Sequence, residues 1–201
     1  MTGRFTKILL LFGLAVLLSG CGAPLRYSQA TPEAKDFKPK RIAVFPADAV
    51  SYPEKADNIE KIVVDVLTGR RWFAGVVTAD MVKKLIDTNS GFKQVYTDYT
   101  VKLRDVCFSD PELSKQVGEM IPADAFLFVK IDYWNYTVEN DDKVGKVGLG
   151  MMLVDAATGK VVWKAAHEKI SKYEFIKPEL ANIAKSLVKE MASQMPHGAV
   201  K

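Results

Sequence analysis

Four side chains are of the types that carry nucleophilic or metal chemistry: Cys21, Cys107, His167 and His197. A structural zinc site needs about four clustered Cys, His or carboxylate ligands, and these residues are not spaced in that way. No Gly-x-Ser-x-Gly motif of a serine hydrolase accompanies His167, and no histidine stands beside Cys107. The sequence therefore predicts no catalytic residue, no metal site and no cofactor.

Cys21 is the candidate whose surroundings predict a reaction. Two basic residues near the N-terminus precede an apolar run from Ile8 to Leu18, which is shorter than the roughly 20 residues that span a bilayer. Ser19 and Gly20 are small residues of the kind that a signal peptidase accepts. A cysteine directly after them resembles the bacterial lipobox, which implies acylation of the thiol, cleavage before Cys21 and acylation of the new amine. The alternative is an ordinary signal peptide with a chance cysteine.

The net charge does not indicate a nucleic-acid partner. The chain of 201 residues has a formal net charge of +4, and loss of Arg4 and Lys7 with the signal would lower it to +2. Lysines and arginines are scattered and do not form the basic runs typical of nucleic-acid binding. If Cys21 is acylated, Cys107 has no partner for an intramolecular disulfide and is most simply a small buried residue.

The chain divides into a signal at 1–20, a tether and one domain. Residues 22–40 are polar, contain three prolines and show no apolar period, so we expect 21–40 to be an acylated, flexible tether. Residues 41–196 are long enough for a single domain with its own core. Residues 197–201, which include His197, are predicted to form a frayed polar tail.

Hydrophobic periodicity predicts the order of the elements in this domain. Residues 92–106 fit both an alternating strand and a helix, but the helical period explains more apolar positions, so a helix is predicted there. Ser109 and Glu112 form a capping-box pattern that would begin the next helix. The other elements are predicted as strands at 41–45, 73–77, 125–138, 144–155 and 160–172, and as helices from Ala56, from Thr78 and after Pro178.

The predicted order is strand, helix, strand, several helices, an antiparallel meander of three strands and a closing helix. Helices packed on a mixed sheet are the economical way to bury the apolar faces of such elements. The sequence therefore predicts an α/β (α+β-like) fold built on a mixed sheet.

Three short segments resemble a group of bacterial envelope lipoproteins. They are the lipobox leading into the strand at 41–46, the strand start at 118–129, and the Asp-x-x-Thr-Gly-x-x-x-Trp hairpin at 155–163. The group includes lipoproteins of unknown function with a TolB N-terminal-like α/β domain, the curli secretion lipoprotein and the lipoprotein activators of penicillin-binding proteins. In these segments we expect Asp124 to accept backbone hydrogen bonds, Thr158-Gly159 to shape a turn and Trp163 to fill the core.

An aromatic and basic pattern on the meander is a candidate partner site. If the turn at 140–142 sets the pairing, Trp134 lies opposite Gly148 and Asp132 opposite Gly150. The indole then either covers the glycines, as aromatic side chains do in other sheets, or is exposed over a shallow groove. In the second interpretation the candidate binding residues are Trp134, Tyr136, Lys130 and Lys164.

The resemblance and the missing catalytic set indicate a function class. We expect a non-enzymatic lipoprotein, held by Cys21 in the outer membrane on its periplasmic face, with an envelope protein as its partner. Gly22 follows the cysteine, and in the resembling proteins the absence of Asp at this position implies passage to the outer membrane. The alternatives are a subunit of an envelope secretion or transport complex and, less favoured, a periplasmic hydrolase. The oligomeric state is not predicted.

Overall fold

A computed structural model describes residues 26–105 and 109–198. Within these ranges the chain forms a six-stranded sheet with helices on both faces. The strands are β1 (Tyr27–Ala30), β2 (Arg41–Val44), β3 (Gly75–Val77), β4 (Ala125–Glu139), β5 (Asp142–Asp155) and β6 (Val161–Lys172). The helices are α1 (Ala56–Arg70), α2 (Ala79–Thr88), α3 (Ser90–Asp105), α4 (Pro111–Met120) and α5 (Leu180–Ala192), with short 3-10 helices at Pro32–Lys35 and Pro53–Lys55.

The order of strands across the sheet is β1-β6-β5-β4-β2-β3. Strand β2 is parallel to both β3 and β4, because helical connections return the chain to the start of each new strand. Strands β4, β5 and β6 form an antiparallel meander, and β1 adds to its outer side. This architecture confirms the predicted fold, and α3 confirms the helical interpretation of residues 92–106 as far as Asp105.

Two apolar clusters fill the space between the sheet and the helices. On one face, Leu67 of α1 and Leu187 of α5 belong to a cluster that extends along β4 as far as Trp134. On the other face, α2, α3 and α4 pack on β2 and on the first part of β4, where the rings of Phe45 and Phe126 lie 5.0 Å apart. The two helices of the first face, α1 and α5, therefore cover more of the length of the meander than the three helices of the second face do.

The first strand corrects the predicted domain boundary. The prediction of a flexible tether over 21–40 is wrong from residue 26 onwards, since β1 pairs with β6 and the following 3-10 helix buries Ala34. All four residues of β1 are exposed, so this edge strand has no apolar period that the sequence could reveal. The folded domain includes residues 26–40, whereas Cys21 and Cys107 lie outside the described residues.

The N-cap of α4 differs from the predicted Ser109. Asp110 caps this helix, and its carboxylate accepts hydrogen bonds from the backbone N–H groups of Glu112 and Leu113 at 3.0 and 3.2 Å. Pro111 explains the shift by one residue, because proline is favoured at the first helical position and so makes the preceding residue the cap.

Two roles expected from the sequence are confirmed, one at the start of β4 and one in the turn between β5 and β6. The Asp124 carboxylate accepts hydrogen bonds from the N–H groups of Lys40 and Arg41 at 2.8 and 2.9 Å, which ties the start of β4 to the start of β2. In the turn between β5 and β6, Gly159 has a φ of +68°, and a Cβ there would lie 2.7 Å from Cα of Pro111. Both the backbone angle and the space at this turn therefore require glycine.

Replacement of Trp163 by alanine should strongly destabilise the domain. Trp163 is 1 % exposed, and removal of such an aromatic side chain costs about 3–5 kcal/mol of unfolding free energy. Its indole N–H donates to the Ser28 hydroxyl at 3.1 Å, so Ser28→Ala is a matched control that should cost about 1 kcal/mol. Urea denaturation measures both, and a loss below about 1 kcal/mol for Trp163→Ala would contradict the core position.

Candidate interaction surface on the open sheet face

Strands β4, β5 and β6 continue past the helices on one face of the sheet. The apolar cluster on that face ends at Phe128 and Met152. Farther along, the face carries polar and small side chains, and Tyr133 is 38 % exposed. We call this region the open face; its residues are Lys130, Asp132, Tyr133, Lys146, Gly148, Gly150, Lys164, Ala166 and Glu168.

A β-bulge in β4 determines which side chains reach the open face. The pairing of β4 with β5 shifts between Ile131 and Tyr133, which leaves Asp132 without a partner in the ladder. Tyr133 consequently lies opposite Gly148. Because one extra residue reverses the alternation of side chains, residues that follow the bulge point to the opposite face from the one expected without it.

The predicted register is wrong by one residue at the hairpin turn, where Val138 pairs with Lys143 and not with Val144, and the bulge adds a second residue to the difference. Trp134 does not lie opposite Gly148, and Gly150 pairs with Lys130 and not with Asp132. Trp134 instead points into the main apolar cluster and is only 6 % exposed. The interpretation that placed an exposed indole over a groove is therefore wrong.

Tyr133 supplies the aromatic cover that was expected from the neighbouring tryptophan. A Cβ at Gly148 would lie 2.6 Å from Cδ2 of the Tyr133 ring, so the glycine leaves the space that the ring occupies. The ammonium group of Lys146 lies 4.6 Å from the centre of the same ring, within cation–π range. The ring is thus held between a glycine below it and a cation beside it.

The four residues predicted as a partner site are divided between the two faces. Lys130 and Lys164 are exposed on the open face. Tyr136 lies on the α5 side of the sheet, where its hydroxyl donates to the carbonyl oxygen of Pro178 at 2.7 Å. With Trp134 buried, the structure does not bring the four residues together, and only the two lysines remain in the candidate surface.

Opposite charges on the open face lie next to one another. Nζ of Lys146 lies 2.8 Å from Oε1 of Glu139 and 3.4 Å from Oε2 of Glu168. The hydrogen bond with Glu139 is the main cause that raises the pKa of Lys146, and the charge of Glu168 adds to it against the opposing effect of burial. Glu168 also lies 4.0 Å from the Arg26 guanidinium. Lys146 therefore stays charged within a locally balanced network.

The carboxylates and the small residues of the open face limit the chemistry that this surface offers. The carboxylates around Lys146 are engaged by cations, whereas a general base must be placed to take a proton from a substrate. Gly148, Gly150 and Ala166 form a low floor between the longer side chains, and a flat protein surface fits such a floor better than a small molecule, which prefers a concave pocket. Among the described residues, no group of three or more His, Cys, Asp or Glu is placed to hold a metal ion.

The outer edge of the sheet adjoins the open face. In the described part of the chain, β1 pairs with β6 on one side only, and Tyr27 lies opposite Ala166. An edge strand presents backbone N–H and C=O groups that can pair with a strand of another chain. The open face and this edge together form a continuous candidate interaction surface.

A second charged cluster, around Glu60, has a structural role. Oε1 of the buried Glu60 accepts from the N–H of Ala47 at 2.9 Å, and Oε2 accepts from Lys83, which also donates to Asp57. Burial acts to lower the pKa of Lys83, but its hydrogen bonds to these two carboxylates outweigh burial and raise it. Burial, aided by the charge of Glu60, raises the pKa of Tyr96 to about 12. The cluster fastens α1 to α2 and to the loop after β2.

Both histidines lie in packing contacts. Nδ1 of the buried His167 accepts from the N–H of Arg26 at 3.2 Å, and its Nε2 lies 3.4 Å from Oε1 of Glu190. His197 stacks on Trp72 with the ring centres 3.8 Å apart, so the expectation that this residue is frayed is wrong. These contacts fasten the start of β1 and the chain after α5 to the domain.

Comparison with known proteins finds likeness at the level of structure. No protein-family model and no curated protein matches the chain. A single-residue variant of the PelC dodecamer from Paraburkholderia phytofirmans matches with a TM-score of 0.53 and 19% identity, over 87% of this chain and 99% of that chain. Lipoprotein GNA1162 from Neisseria meningitidis matches with a TM-score of 0.46 and 16% identity, over 76% and 97% of the two chains. The match to PelC shows a shared fold. None of the described helices is long and apolar enough to cross a membrane.

Alanine at Gly148 should destabilise the domain through Tyr133. The new methyl group would lie 2.6 Å from the ring, and such overpacking costs about 1–3 kcal/mol. In a Tyr133→Ala background most of this loss should disappear, which gives a coupling energy of about 0.5 kcal/mol or more. Gly150→Ala is the matched control, because its methyl group would meet Cβ of Lys130 at an ordinary 3.7 Å. Equal losses for Gly148→Ala in both backgrounds, measured by urea denaturation, would contradict the register.

Proposed function

We propose that this chain is a non-enzymatic lipoprotein of the bacterial envelope that binds an envelope protein through its open face. The observation that carries the proposal is the short distance between the lipobox-like cysteine and the domain. Only five residues separate Cys21 from Tyr27 at the start of β1, and the six residue steps between them allow at most about 20 Å when fully extended. An acyl group on Cys21 would hold the domain against the membrane.

The membrane in this proposal is the outer membrane, and the domain lies on its periplasmic side. Support comes from Gly22 after the cysteine and from the resemblance to envelope lipoproteins with a TolB N-terminal-like domain. Acylation at more than one position anchors a protein far more stably than a single chain does. The lipid anchor would thus fix the location of the domain, and the surface of the domain would select the partner.

The open face supports a protein partner. It combines an exposed aromatic ring at Tyr133, a charge-balanced cluster around Lys146 and a floor of small residues. Protein interfaces are enriched in tyrosine and place charges toward the rim. Because the carboxylates of the cluster already have cationic partners, we infer that the chain acts by binding and not by catalysis.

A second form of the proposal is that the chain is a subunit of an envelope secretion or transport complex. PelC, whose fold this chain shares, is a dodecamer. The edge strand β1 of this chain offers backbone groups to which another chain can add. In this form of the proposal, the partner on the open face is a second copy of the chain.

Replacement of Cys21 by alanine tests the anchor. Alanine offers no thiol for acylation, so the variant should remain unprocessed or be mislocalised, whereas the wild-type chain should be recovered in purified outer membrane. Membrane fractionation followed by mass determination of the mature N-terminus measures both properties. Mature Cys21→Ala protein in the outer membrane at the wild-type level would contradict the lipobox interpretation.

A photo-crosslinker tests the binding face. With p-benzoylphenylalanine in place of Tyr133, irradiation of the native envelope should produce an adduct with a protein, which is either another copy or a different envelope protein. The same group in place of Met81, an exposed apolar residue of α2, should not produce it. Mass spectrometry identifies the adducts, and the absence of a protein adduct specific to the Tyr133 position would rule out this face.

A further inference from the structure

The loop between β6 and α5 exposes two adjacent large apolar side chains. Phe175 is 93 % and Ile176 is 86 % exposed. Single exposed apolar residues are normal on protein surfaces, but a cluster of them marks a contact with another apolar surface. Val138, near the end of β4, is also exposed, and it lies on the side of the sheet from which Tyr136 reaches Pro178 of this loop. We call Val138, Phe175 and Ile176 the apolar tip.

The apolar tip is held in place from both sides. At its start, the N–H of Tyr173 donates to the carbonyl oxygen of Lys143 at 2.9 Å. At its end, the Tyr136 hydroxyl donates to the carbonyl oxygen of Pro178 at 2.7 Å. The rings of Tyr136 and Tyr173 meet edge to face with their centres 5.9 Å apart. The loop is therefore fastened at its base, and its two apolar side chains project from a supported position.

The N-terminal end of β1 is directed toward the end of the sheet that carries the apolar tip. Strand β1 is antiparallel to β6, and Tyr27 lies opposite Ala166, so the N-terminal end of β1 is directed toward the end of β6 at Lys172. The six residue steps from Ala166 to Lys172 cover about 20 Å in a strand. The six residue steps from Cys21 to Tyr27 can cover the same distance. Cys21 can thus reach the level of the apolar tip.

The charged residues in the segments next to the apolar tip balance one another. The turn at 140–143 and the loop at 172–178 contain three cationic and three anionic residues, namely Lys143, Lys172, Lys177, Asp141, Asp142 and Glu174. Two of them, Lys172 and Asp142, are hydrogen-bonded to each other. A locally neutral rim around exposed apolar residues, with tyrosines at its base, suits the boundary between lipid headgroups and acyl chains, where aromatic side chains with polar ends are enriched.

We propose that Phe175 and Ile176 insert into the bilayer that holds the acyl chains of Cys21 and so form a second membrane contact. This inference rests on the proposed lipid anchor. A flexible anchor alone lets the domain rotate, whereas two contacts at one end of the sheet fix its orientation. The hairpin turn at 140–141 then faces the membrane, and the open face is directed sideways. Because the rim is neutral, the insertion needs no anionic lipid.

The test uses the full acylated chain with p-benzoylphenylalanine in place of Phe175. After reconstitution into phosphatidylethanolamine vesicles, with or without phosphatidylglycerol, irradiation should attach phospholipid to residue 175. The matched control places the same group at Val50, an exposed apolar residue in the loop that pairs with β4 near Lys130. The lipid adduct at residue 175 should exceed that at residue 50 roughly tenfold, because inserted apolar side chains lie about 5–10 Å deep in the boundary region.

The outcomes separate this inference from the proposed function. Flotation with the vesicles is measured first, and a wild-type chain that does not float would overturn the anchor and this inference together. A chain that floats but yields no lipid adduct at residue 175, or equal adducts at residues 175 and 50, would overturn only the membrane contact. In native envelopes, a protein adduct in place of lipid at residue 175 would likewise overturn it and make the apolar tip a protein-binding site.

Discussion

The bulge at Asp132 is the constraint on which the rest of the candidate surface depends. Before it, Ile131 points into the core, and after it Trp134 does so, because the extra residue restores the indole to the side covered by α1 and α5. Without the bulge, Tyr133 would have to bury its hydroxyl while the larger indole faced water. The bulge thus buries the more apolar ring and leaves the ring with a polar end at the surface.

The same constraint sets the charges of the open face. With Tyr133 over Gly148, the next residue pair on that face brings Lys146 of β5 beside the ring. Lys146 is then flanked by Glu139 and Glu168 from the two neighbouring strands. Carboxylates that share a cation in this way are already paired, so neither Glu139 nor Glu168 is a free base on this face.

Sequence reasoning reached the fold class but not the surface, and the reasons are physical. The helices and the meander bury continuous apolar faces, so periodicity alone predicts them. Strand β4 is aromatic at 133, 134 and 136, so both registers satisfy its pattern and nothing in the alternation marks the inserted residue. Strand β1 buries none of its side chains, and it is held through pairing with β6 that no local pattern encodes. The signal that could have indicated β1 is Trp163. Its indole N–H needs a polar partner, and that partner is Ser28 of β1.

The position of β1 changes what a lipid anchor would do. A flexible tether over 21–40 would let the domain drift some 25 Å from the bilayer, roughly the coil dimension of such a segment. With β1 in the sheet, six residue steps join Cys21 to Tyr27, and the N-terminal end of β1 is directed toward the end of the sheet that carries the apolar tip. Tyr133 lies seven strand residues, or about 23 Å, before the hairpin turn. With that turn at the membrane, a partner would meet the open face beside the bilayer. The distance of the open face from the membrane would be set by the length of β4 and not by the chain between Cys21 and β1.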